Sequence, residues 1–126
     1  MGRSGRQDWG EWMIEGMIDV SDKPSVPRQA KASGLLHLRD ETAVAISNGP
    51  LKKGDVLEAS TIAAIQAVKD TPRIVPHCHP IPIEGCWVEW DWENSNLRCT
   101  VTVKAKYRTG VEMEALTGVS AGLLCA

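Results

Sequence analysis

No apolar run in these 126 residues approaches the roughly 20 that a helix needs to cross a bilayer, and no charged start leads into an apolar signal core. The expectation is a soluble, cytoplasmic protein. Neither sign of charge is in surplus: Lys and Arg number 14 against 16 Asp and Glu, a net charge of −2. A general affinity for nucleic acid or an anionic membrane is therefore not expected, and any anion site must be local. The cysteines Cys78, Cys86, Cys99 and Cys125 form no CxxC and no even spacing, which argues against a disulfide framework and for reduced thiols. With 43% hydrophobic and 24% charged residues, the chain has the length and composition of one globular domain.

What is present is a junction. In Tyr107-Arg-Thr-Gly-Val-Glu-Met-Glu-Ala-Leu-Thr117 an alternating segment gives way, through a Thr-Gly hinge, to a helical run of small residues. Thr109 and Glu112 have the T-x-x-E spacing of a capping box, in which each side chain takes an orphan amide of the first turn. That accounts for Glu112 but not for Glu114, which lies about 200° further round a helix. A helix N-terminus with free N–H groups suits phosphate, and carboxylates beside it make sense if protons are to be moved.

Residues 1–16 show no sustained period and read as an N-terminal arm; a single domain is expected over 17–126. Pro24 and Pro27 keep the following segment extended, so that Arg28 is presented from non-helical chain. Ser33 to Arg39 reads as a first strand. Asp40 to Ser47 reads as a short helix capped by Asp40 and stopped at Asn48-Gly49-Pro50. After a basic turn carrying Lys52 and Lys53, Leu57, Ile62, Ile65 and Val68 recur at helical spacing among alanines, the pattern of a core helix over Val56 to Asp70.

Thr71 to Ile83 holds four prolines and should be irregular. Fixed within it are His77, Cys78 and His79. If extended, the two imidazoles point one way and the thiol the other, so the trio alone is no chelating set, and a metal would need Cys86, His37 or the glutamates as further ligands. Cys86 to Glu93, with Val88, Trp90 and Trp92 on one face, and Leu97 to Tyr107, alternating over its whole length, form a long antiparallel hairpin turned at Asn94-Ser95-Asn96. The tryptophans fit a subunit interface better than a base-stacking platform. Val111 to Ala126 reads as a helix whose Ala115, Gly118, Ala121 and Gly122 admit a close neighbour. No stop signal follows Ala126, and a further C-terminal part is expected.

The order strand, helix, strand, strand, helix predicts an α+β ferredoxin-like sandwich, an antiparallel sheet with helices on one face, lacking its final strand. Asp19-Val-Ser21, Lys53-Gly-Asp-Val56, Ile65-Gln-Ala-Val-Lys69, Pro76-His-Cys-His-Pro80 and Thr109-Gly-Val-Glu-Met-Glu-Ala-Leu-Thr117 resemble the molybdenum cofactor biosynthesis protein C family, the cyclic pyranopterin monophosphate synthases. The resemblance implies a lyase that rearranges a cyclised dihydroguanosine triphosphate to cyclic pyranopterin monophosphate with loss of pyrophosphate. It assigns catalysis to Lys53, His79, Glu112 and Glu114, and substrate binding to Arg28, His77, Cys78, His79, Met113 and Glu114, with no resident metal or cofactor; Lys69 and Arg108 are further basic candidates for binding the substrate where pyrophosphate departs. Where this chain has His77 the family usually has an apolar residue. The family's further aspartate and lysine would lie beyond Ala126. Magnesium would come only with the substrate phosphates, and the implied assembly is of dimers forming a homohexamer. The alternatives from other classes are a small His/Cys metal-binding module and a non-catalytic assembly domain.

Overall fold

The computed structural model describes residues 16–126. The arm expected over residues 1–16 lies, Gly16 apart, outside the described residues. Strand β1 (Val26–Leu36) is followed by α1 (Asp40–Ser47), α2 (Val56–Lys69), the single turn α3 (Thr71–Ile74), the hairpin β2 (Ile83–Glu93) and β3 (Asn96–Tyr107), and α4 (Glu112–Cys125). The sheet has the order β1-β3-β2, antiparallel throughout. This is the α+β arrangement expected of a ferredoxin-like sandwich, with α2 and α4 on one face.

Alternation in β3 decides which face is covered. Leu97, Cys99, Val101, Val103 and Ala105 are buried, while Thr100 and Thr102 are half-buried and Lys104 and Lys106 point to solvent. Against the inner row pack Ala64 and Val68 of α2 and Ala115 and Val119 of α4. Small residues set the spacing: a Cβ on Gly118 would stand 2.7 Å from Val68 Cγ2 and 3.2 Å from Val101 Cγ1. Ala64, Ala67 and Val68 bury their face of α2 as the helical spacing predicts, but Ile62 remains 52% exposed because α4 is reached by the alanines.

Several local expectations are corrected. The first strand begins at Val26, not Ser33, and ends at Leu36 rather than Arg39. Pro27 is tolerated because β1 is an edge strand, where a missing N–H need not break the ladder. Asp40 is not the cap of α1; Arg39 holds that position without a side-chain bond, and the Asp40 carboxylate accepts from the Ser95 hydroxyl instead. Asp55 does cap α2, accepting the Glu58 N–H at 2.9 Å. The proline-rich stretch is not wholly irregular: Thr71 starts one helical turn, with Pro72 in its opening turn, where the lost donor costs nothing.

Candidate active site

Three segments meet at the N-terminal end of α4. Each is shaped by its own backbone chemistry before any side chain is considered.

The first is the Thr109-Gly110-Val111 hinge. The capping box expected between Thr109 and Glu112 does not form: Val111 is the N-cap, with no side-chain cap bond, and Glu112 is the first helical residue. Val111 is fully buried in the core, and that burial sets where the helix begins. The Glu112 carboxylate folds back over Gly110 into the space a Cβ would occupy, so a side chain at this position would displace it.

The second is the Pro76 turn. The Cys78 N–H donates to the Val75 carbonyl at 3.0 Å, closing a four-residue turn with proline second, its favoured place. The segment is thus bent rather than extended, and His77, Cys78 and His79 all border the same cleft instead of alternating about a strand.

The third segment, Gly16–Lys23, was legible only through Asp19-Val-Ser21. Asp19 Oδ1 accepts the Ser21 N–H at 2.9 Å, the Lys23 N–H donates to the Val20 carbonyl at 3.0 Å, and Val20 is buried. Both imidazoles hold this strap. His79 Nε2 lies 2.8 Å from the Ile18 carbonyl oxygen, and His77 Nδ1 contacts that of Gly16. Because a carbonyl only accepts, each ring nitrogen so engaged carries the proton, which leaves His79 Nδ1 as the acceptor of a neutral ring.

Together the segments enclose a cleft of about 450 Å³, walled by Met17, Ile18 and Ile81 and bordered by His77, Cys78, His79, Glu112, Met113 and Glu114. Glu114 is 3% exposed, whereas Glu112 on the same turn faces solvent. Burial raises the Glu114 carboxyl above the ordinary glutamate range, its own backbone N–H opposes that shift, and the neighbouring Glu112 adds to it. The Cys78 thiol is raised as well, by burial first and by Glu114 second. It is held as a thiol rather than a thiolate. All four cysteines are free.

Not every residue singled out from sequence reaches this cleft. Lys53 lies in a separate depression with Cys125 and Ala126, in a turn closed by paired backbone bonds between Leu51 and Gly54. Arg28 donates from Nε to the Tyr107 carbonyl at 3.3 Å and from Nη2 to that of Arg108 at 3.1 Å, tying β1 to the chain just before the hinge. Lys69 is exposed at the end of α2, and its charge acts on the Cys86 thiol, where it opposes the upward shift due to burial. The sequence carries no signal that places Lys23, Met17, Ile18 and Ile81 on the cleft, and Val20 is marked only as the middle of Asp19-Val-Ser21. Among the described residues no group of three or more His, Cys, Asp or Glu side chains is placed to hold a metal ion.

The model of the MoaC family matches residues 17–126. A probable cyclic pyranopterin monophosphate synthase of Archaeoglobus fulgidus is 51% identical over 108 residues, 86% of this chain and 69% of the relative. Its counterpart from Methanoregula boonei is 49% identical, over 86% of this chain and 70% of its own length. A probable cyclic pyranopterin monophosphate synthase accessory protein of Methanothermobacter thermautotrophicus is 48% identical, over 86% and 68% respectively.

Proposed function

From the premise that the chain belongs to the MoaC family, we propose that it is a cyclic pyranopterin monophosphate synthase of molybdenum cofactor biosynthesis. It acts as a lyase, converting a cyclised dihydroguanosine triphosphate to cyclic pyranopterin monophosphate and pyrophosphate. The observation that carries the proposal is Glu114, a buried carboxyl raised out of the ordinary range on the same cleft as His79. Opening a ring and closing a cyclic phosphate moves protons at carbon, nitrogen and oxygen, and an acid and a base with separated affinities do this at one pH.

In this reading Glu114, whose protonated form burial favours, donates a proton, and His79, fixed through Nε2 by the Ile18 carbonyl, receives one at Nδ1. Glu112, exposed at the rim, exchanges protons with water. Met113 and the apolar wall seat the pterin, with Cys78 as a thiol against it. Lys53 and Arg28 neutralise the phosphates from a neighbouring copy, in dimers that assemble to a homohexamer in the cytoplasm, with Lys69 at the same contact. Any magnesium arrives on the substrate phosphates. The metal-module alternative lacks a ligand set among the described residues.

The test is direct: incubate the purified chain with the cyclised dihydroguanosine triphosphate and follow both products, pyrophosphate and cyclic pyranopterin monophosphate. The Archaeoglobus relative serves as the control. Stoichiometric formation of both is expected; no product where the control turns over overturns the proposal.

A further inference from the structure

The cleft has a charge problem that its substrate class makes acute. Glu112 stands at its rim and Glu114 in its wall, while Arg28, Lys53 and Lys69 lie outside it in the same chain. Among the described residues that line it, Lys23 is the one lysine or arginine. Its position is built rather than incidental. The turn closed by Lys23 N–H on the Val20 carbonyl sets where it projects, Pro24 restricts its backbone to extended geometry, and Val20 anchors the strap in the interior. The strap in turn is held to the His77-Cys78-His79 turn through two backbone carbonyls, those of Gly16 and Ile18.

We infer that Lys23 is a phosphate-binding residue of this site, set in place by a strap that His77 and His79 hold against the cleft. The inference rests on the proposed reading of the cleft as a triphosphate-processing site. Lys23 receives the end of the phosphate chain nearest the strap, keeping it away from the two carboxylates while the pterin lies toward α4. An ammonium on a flexible stem suits a chain whose charge grows as pyrophosphate departs. His77 and His79 thereby acquire a positioning role besides any contact with the substrate.

The probes are GTP and guanosine, titrated calorimetrically into wild type, Lys23→Ala and Lys23→Arg. Wild type should prefer GTP, Lys23→Ala should lose about tenfold or more of that preference, and Lys23→Arg should restore most of it, as expected of a charge-assisted contact. Guanosine affinity and melting temperature should stay the same in all three. A Lys23→Ala protein that keeps the full preference for GTP overturns the inference, and so does a wild type that shows none. Turnover separates this from the parent reading: if wild type is active and Lys23→Ala has unchanged KM, only the role of Lys23 falls, whereas an inactive wild type beside an active relative removes the parent reading.

Discussion

The indole N–H of Trp90 donates to Thr61 Oγ1 at 2.8 Å, and the Thr61 hydroxyl donates in turn to the Leu57 carbonyl at 2.7 Å. An edge strand is thus tied to α2 by a short polar chain on an otherwise apolar contact. Thr61→Val, nearly isosteric, leaves the half-buried indole N–H without an acceptor and should cost about 1–2 kcal/mol. Urea denaturation should show a lower midpoint at unchanged slope. An unchanged midpoint means that water replaces the hydroxyl.

The approach of α4 to α2 depends on Gly118 in the same way. Exchanging a mid-helix glycine for alanine normally gains close to 1 kcal/mol. Here the new Cβ would stand 2.7 Å from Val68 Cγ2 with Val101 behind it, and Val68 is itself β-branched and fully packed. Gly118→Ala should therefore destabilise by about 1–3 kcal/mol, the usual cost of overpacking. A rise in thermal midpoint would show that the two helices can part without loss.

These two contacts mark the boundary of what the sequence discloses. Strict alternation from Leu97 to Tyr107 made β3 and its buried row legible, and the small residues of α4 announced a close neighbour without saying which. Trp90 was read as one of a row, yet it is bonded to a helix, while Trp87, 53% exposed, lies across Gly85 on the other face. Periodicity gives the face of a residue, not its partner. The capping box failed for a related reason: T-x-x-E is a local rule, and the core's demand for Val111 outweighed it. The convergence of His77, Cys78 and His79 was hidden because it depends on one backbone bond, from Cys78 to Val75. Lys23 carried no signal beyond its neighbour Pro24, since a strap becomes part of a site only through contacts some 60 residues away, on the order of half the chain.

Glu114 gives a pH signature. Its carboxyl is raised in the folded chain, so between the unfolded and folded values the native state binds more protons than the unfolded state. Its contribution to stability is then full below the ordinary glutamate value and is lost as pH rises through the folded one. Wild type should lose thermal stability over that interval, and Glu114→Gln, which cannot ionise, should lose less and be at least as stable at neutral pH. Turnover should move the opposite way, falling by about 10²-fold or more at neutral pH, the scale of general acid–base catalysis. Parallel melting curves for the two proteins across the acid range would show that Glu114 titrates normally.

The separation of Lys53 from Glu114 allows a test of assembly that needs no structure. In one chain Lys53 sits with Cys125 and Ala126, away from the cleft that holds Glu114, so a site using both must draw them from two copies. Lys53→Ala and Glu114→Gln should each be inactive alone and fold normally, since Lys53 is exposed and glutamine preserves the shape of Glu114. Unfolded and refolded together, they exchange partners. In half of the resulting two-fold pairs one site carries both substitutions and the other neither, so about a quarter of wild-type turnover should return. The recovered activity should depend on the mixing ratio and peak at equal amounts. If Lys53 and Glu114 served the same chain's site, every mixed pair would contain two damaged sites and mixing would restore nothing.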